Sequence, residues 1–122
     1  IRYVTPIHNM CRVATEDYSI HGKTIRKGDQ VVLMYSSANR DQEKFINPEL
    51  LDVTRDPNHH IAFGFGTHFC LGASLARLEI KLFYEQLINR VESFALAGDP
   101  VEMPNAFVYG LASCPMDLTP RD

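Results

Sequence analysis

An α+β fold is predicted by three observations. The first third of the chain offers short strand candidates separated by tight turns. Residues 72–91 carry one long helical apolar period, and a glycine-punctuated aromatic loop runs straight into it. Strands and helix are segregated along the chain rather than alternating, which argues against a parallel α/β sheet.

Residues 10–15 and 17–20 read as short strands, with His21-Gly22 as a turn and 23–26 as the returning strand. Lys27-Gly28-Asp29 marks another turn before a strand at 31–35, and 36–41 reads as a helical turn. From 42 to 60 the chain contains Pro48 and Pro57 and no sustained period, so a long meander is expected. In the helix, Leu71, Leu75, Leu78 and Leu82 recur at steps of four, three and four. Ala76, Ile80, Phe83, Leu87 and Val91 form a second apolar stripe, with Ser74, Arg77, Lys81, Glu85 and Asn89 opposite. Such a helix runs roughly 30 Å, and its wide apolar face calls for burial in a larger body. Gly98, Pro100 and Pro104 break the chain after it; 107–109 and 116–118 are expected to close as a hairpin. No internal repeat is present.

Composition excludes more than it selects. A net charge of -3 argues against a nucleic-acid binder, which is usually basic. No apolar run reaches the length of a membrane span, and the first residues do not pattern as a signal peptide. The three cysteines, Cys11, Cys70 and Cys114, are too scattered for a disulfide framework, which points to a reducing, cytoplasmic setting. Cys11 and Cys114 read as small buried hydrophobes.

Chemistry concentrates in Phe63-Gly64-Phe65-Gly66-Thr67-His68-Phe69-Cys70-Leu71-Gly72. Gly64 and Gly66 permit backbone conformations that side-chain-bearing residues avoid, and Gly72 lets the backbone approach whatever lies above it. The helix that follows points its positive dipole end toward the sulfur and stabilises negative charge there. A thiolate held this way can serve as a ligand beneath a flat, apolar cofactor.

This F-G-x-G-x-H-x-C-x-G pattern resembles the cysteine-ligand loop of the cytochrome P-450 (haem-thiolate monooxygenase) family. The resemblance covers essentially the whole chain, because small sheet, meander, cysteine loop, long helix and terminal hairpin follow the order of that family's C-terminal part. It implies that residues 1–122 are the C-terminal haem-binding segment of a larger domain. Ile1-Arg2-Tyr3 then matches the end of a Glu-x-x-Arg helix, with Arg2 parted from its glutamate.

The resemblance also implies a cofactor, haem b (iron protoporphyrin IX), with Cys70 as the proximal iron ligand and the catalytic centre. The N–H groups of Leu71 and Gly72 would donate to the sulfur, and Phe63 would shield it, with Gly64 and Ala76 against the cofactor. His68 would bind one haem propionate, and Arg12 would bind a second through guanidinium–carboxylate geometry. Ile7, His8 and Asn9 match one substrate-contact stretch, and Phe107 and Val108 another. The implied reaction inserts one atom of O2 into an apolar small molecule, using electrons from a ferredoxin-type donor that docks near Arg77 and Lys81. His68 together with the Leu71–Glu79 stretch resembles the soluble bacterial branch. Asn9-Met10-Cys11-Arg12 and Ala106-Phe107-Val108 resemble actinobacterial sterol side-chain hydroxylases.

One reading of a different class starts from His59, His60, His68 and Cys70 as a mixed nitrogen–sulfur site for zinc or copper. Adjacent His59 and His60 would point apart on an extended strand, leaving three ligands including His68 and Cys70.

Overall fold

The computed structural model describes residues 1–121. Two compact units emerge, one comprising residues 1–62 with 105–109, the other 63–104 with the chain from 110 onward.

In the first unit, β1 (Asn9–Val13) pairs antiparallel with β4 (Gln30–Met34), with Cys11 opposite Val32 and Arg12 opposite Val31. Between them, β2 (Tyr18–Ile20) and β3 (Lys23–Ile25) form their own hairpin. The turn at His21-Gly22 places both residues at positive φ, 48° and 74°, the geometry whose twist matches the flanking strands. The return to β4 is closed by Gly28 N–H to the Ala14 carbonyl at 2.8 Å and Ala14 N–H to the Asp29 carbonyl at 3.0 Å. The expected helical turn is α1 (Tyr35–Ala38). A meander without strands follows, as the absence of periodicity predicted.

The interior of this unit mixes apolar Tyr35, Phe45 and Ala62 with a polar cluster. Arg2 is 4% exposed, and Thr5 and Asn39 have no solvent contact. Arg2 Nη1 donates to the carbonyls of Asn39 at 2.7 Å and Pro48 at 3.0 Å, while its guanidinium lies 5.0 Å from the Phe45 ring centroid. Burial first, then the neighbouring Arg55 and Arg40, push the Arg2 guanidinium below its ordinary pKa; Glu49 and Asp52 oppose this. Thr5 Oγ1 donates to the Arg2 carbonyl at 2.6 Å and accepts from Asn39 Nδ2 at 2.9 Å; Asn39 Oδ1 accepts the Ile61 N–H at 2.8 Å. Elsewhere in the meander, Arg40 pairs with Glu49 at 2.8 Å, and Arg55 Nη1 donates to the Ile46 carbonyl at 2.9 Å. Arginines reaching backbone carbonyls supply the hydrogen bonds that a ladder supplies elsewhere.

In the second unit, α2 (Ala73–Arg90) matches the predicted helix. It ends where Val91 adopts extended dihedrals and the chain passes directly into β5 (Val91–Leu96), a strand the helical period had masked. β6 (Val101–Glu102) pairs with β7 (Leu111–Ser113), and β5 pairs with β8 (Met116–Pro120). The expected hairpin between 107–109 and 116–118 is therefore corrected. The strand at 116–118 exists, but it pairs with β5, with Phe94 opposite Leu118, and Val108 instead bridges Ile7 in the first unit. Leu75, Leu78, Leu82, Phe83 and Ile88 of α2 are exposed, and Ala73 is its buried residue.

Candidate functional site

The loop from Phe63 to Gly72 takes the form its glycines demand. Gly64 and Gly66 sit at φ 74° and 71°, in the left-handed region that favours glycine. Residues Gly66–His68 make a single 3-10 turn, closed by Phe69 N–H to the Gly66 carbonyl at 3.0 Å. At the neck, Cys70 N–H donates to the Phe63 carbonyl at 2.9 Å, which makes the loop a closed ring of backbone. The chain then turns at once into α2, with Ala73 N–H on the Cys70 carbonyl at 3.2 Å.

The Cys70 thiol is free and exposed, two residues before the Gly72 cap and beside the positive end of the helix dipole. A Cβ on Gly72 would lie 3.9 Å from Cys70 Sγ. Gly72 has an ordinary helical-side φ of -84°, so its contribution is open space beside the sulfur rather than an unusual conformation. Phe65, Phe69 and Leu71, in the same loop as the cysteine, are exposed, Leu71 completely. An exposed sulfur in a loop that also exposes Phe65, Phe69 and Leu71 fits a flat, apolar, iron-bearing group, because covering these surfaces removes them from water. Ala76 is half-buried on the first turns of α2, its N–H bonded to the Gly72 carbonyl at 2.9 Å. His68 is exposed at the end of the 3-10 turn.

Phe63 is half-buried and meets the edge of Phe69, with ring centroids 6.4 Å apart and planes at 62°. The Arg77 guanidinium stacks over the same ring at 4.6 Å. Arg77 is thus engaged with the loop, whereas Lys81 forms an exposed i,i+4 pair with Glu85 at 3.6 Å.

In the first unit, the two stretches read as substrate contacts are brought side by side. His8 N–H donates to the Phe107 carbonyl at 2.9 Å and Tyr109 N–H to the Pro6 carbonyl at 2.7 Å, around the Ile7–Val108 bridge. The His8 and Tyr109 rings stack with centroids 5.8 Å apart. Asn9 Nδ2 donates to the Ala106 carbonyl at 3.2 Å, and Asn105 Oδ1 accepts from the N–H groups of Phe107 and Val108. Arg12, on β1, is half-buried with Nη1 on the Cys11 carbonyl at 2.8 Å.

Several expectations need revision. Cys11 and Cys114 are exposed, not buried: Cys11 lies on β1, and Cys114 lies in the connection between β7 and β8. Arg2 lacks an ion-pair partner among the described residues, but backbone carbonyls and Phe45 occupy its guanidinium. Neither His59 nor His60 lies on a strand, and no group of three or more His, Cys, Asp or Glu among the described residues could hold a metal ion. The mixed zinc or copper reading therefore lacks a ligand set. The sequence reading missed the Thr5–Asn39–Ile61 network and Arg55, whose buried Nε has no hydrogen-bond partner. Arg55 sits in a turn-rich stretch, where an arginine carries no periodic signal of burial. No helix among the described residues is long and apolar enough to cross a membrane.

Comparison with known proteins agrees with this geometry. Residues 1–116 match the family model described as cytochrome P-450. The chain is 46% identical over 123 residues to a steroid C26-monooxygenase of Mycobacterium tuberculosis, covering 98% of this chain and 33% of that protein. It is 42% identical over 119 residues to cytochrome P-450-terp of a Pseudomonas species, covering 98% of this chain and 28% of the relative. The solved structure of the bacillaene polyketide synthase cytochrome P-450 PksS of Bacillus subtilis superposes with a TM-score of 0.90 at 44% identity, over 97% of this chain and 31% of that one. The chain thus spans about a third of the length of these relatives.

Proposed function

The chain belongs to the cytochrome P-450 family, and from that premise we propose that it is the haem-thiolate segment of a monooxygenase, with Cys70 as the proximal iron ligand. The observation that carries this reading is the exposed Cys70 thiol, held by the Phe63–Cys70 backbone bond at the mouth of α2 in a loop that also exposes Phe65, Phe69 and Leu71. The family implies a haem iron cofactor. When bound, haem supplies activation of O2 so that one oxygen atom enters a substrate.

The chain's own residues hold and shelter that chemistry. The closed loop fixes the sulfur, and the N–H groups of Leu71 and Gly72 are the donors assigned to it. Phe63 keeps water off the sulfur, Gly64 and Ala76 lie against the macrocycle, and the side-chain-free Gly72 leaves room for it. His68 takes one propionate and Arg12 another. Ile7, His8 and Asn9, joined through backbone bonds to Phe107 and Val108, form the segment that meets the substrate.

The substrate we infer is apolar and steroid-like. The 46% identity to a steroid C26-monooxygenase over 98% of this chain supports this. The chain acts as the C-terminal part of a longer cytoplasmic domain, a reading supported by the exposed apolar side chains of α2 and the one-third coverage of its relatives. A ferredoxin-type donor delivers electrons near Arg77 and Lys81. The test is the absorption spectrum of the reduced, carbon-monoxide-bound full-length protein. A strongly red-shifted Soret band supports thiolate ligation; an imidazole-type band, or none, rejects it.

A further inference from the structure

Phe63 is gripped from three directions. Its carbonyl takes the Cys70 N–H at 2.9 Å, its ring meets the edge of Phe69, and its face carries the Arg77 guanidinium at 4.6 Å. Arg77 lies seven residues beyond Cys70, about two turns along the helix that the loop feeds. The Arg77–Phe63 contact therefore ties the far side of the loop back to α2. The near end of the loop is tied to the helix by Ala73 N–H on the Cys70 carbonyl at 3.2 Å and Ala76 N–H on the Gly72 carbonyl at 2.9 Å. Neither of the two side-chain ion pairs among the described residues involves Arg77, so no described carboxylate draws its guanidinium off the ring. Lys81, one turn on, differs in that Glu85 occupies it.

We propose that Arg77 is a positioning residue for the thiolate loop: by stacking on Phe63 it clamps the ring of backbone that holds Cys70 against α2. This rests on the reading of Cys70 as the iron ligand. A planar guanidinium suits the role, because it lies flat on an aromatic face while a lysine ammonium meets it only as a point charge. The clamp gives Arg77 a task independent of any electron donor.

The experiment uses full-length holoprotein, reduced chemically and saturated with carbon monoxide, and follows the decay of the thiolate-type band in mild denaturant. Rates are compared at equal distance below each variant's unfolding midpoint, which removes any general loss of stability. Arg77→Met is expected to speed the decay about two- to fivefold, the range that one partly exposed cation–π contact supplies. Arg77→Lys should fall between wild type and Arg77→Met, and Lys81→Met should decay as wild type does. Phe63→Leu should also speed decay, and the Arg77→Met/Phe63→Leu double variant should be no faster than the faster single, since one contact is lost in each. Wild-type decay in Arg77→Met, or additive singles, overturns the proposal. So does an Arg77→Met variant that only slows salt-dependent reduction by the electron donor, which would make Arg77 a docking residue. Absence of the thiolate-type band in the wild type overturns the assignment of Cys70 itself, and this inference with it.

Discussion

Replacing Asn39 with Ala removes a side chain that has no solvent contact and joins three separate stretches of chain. Its Nδ2 donates to Thr5 Oγ1 at 2.9 Å, and its Oδ1 accepts the N–H of Ile61, two residues before the loop begins. The Asn39 carbonyl, which takes Arg2 Nη1 at 2.7 Å, survives the change. What is lost is the acceptor for the part-buried Ile61 N–H and the donor to the buried Thr5 hydroxyl. Each buried group left unpaired costs about 1–3 kcal/mol, so we expect Asn39→Ala to destabilise the full-length protein by about 2–4 kcal/mol. The assay is urea unfolding followed by far-ultraviolet circular dichroism, with the slope checked for constancy. Thr5→Val should cost less, because Thr5 Oγ1 bonds only within this network. The double variant should cost less than the sum of the singles. A loss below about 0.5 kcal/mol, ordinary for a surface site, would refute the view that this network anchors the lead-in to the loop.

Cys70→Ser should abolish the thiolate-type spectrum of the full-length protein, while Cys11→Ser, on β1, and Cys114→Ser, between β7 and β8, leave it intact. Removing His68 or Arg12 should loosen haem without changing the axial ligand. With a charge-assisted hydrogen bond at about 1.5–3 kcal/mol, haem off-rates should rise roughly ten- to hundredfold, and unchanged off-rates in both variants would remove these residues from the site. Residues 1–122 expressed alone should aggregate or melt without cooperativity. Six apolar side chains of α2 (Leu75, Leu78, Ile80, Leu82, Phe83 and Ile88) are roughly half exposed. At about 1.5–3 kcal/mol per fully buried side chain, the missing burial approaches the whole stability of a typical domain, about 5–15 kcal/mol. A sharp, reversible thermal transition in the isolated chain would contradict this.

The loop was the most legible part of the molecule. Gly64 and Gly66 in left-handed backbone, the turn at His21-Gly22 and the helix Ala73–Arg90 were all readable, because each depends on dihedral preferences and periods within a few residues. The boundary between α2 and β5 was not. Val91 continues the apolar stripe of the helix, yet its extended dihedrals begin a strand that exists only because Met116–Pro120 pairs with it. The partner of 116–118 was misread for the same reason: β-propensity names a strand but not its neighbour.

The site divides along the same line. Residue types at short, set spacing (a cysteine two residues past a histidine, glycines opening the loop, a helix starting at once) determined the sulfur's setting from sequence alone. Which residues meet across long stretches of chain was decided by tertiary structure. Arg77 on Phe63, Asn39 on Ile61 and Arg2 on the carbonyls of Asn39 and Pro48 join residues up to 46 positions apart. Hydrogen bonds and ring contacts across such separations leave no local period, because their geometry arises only when the whole chain has packed.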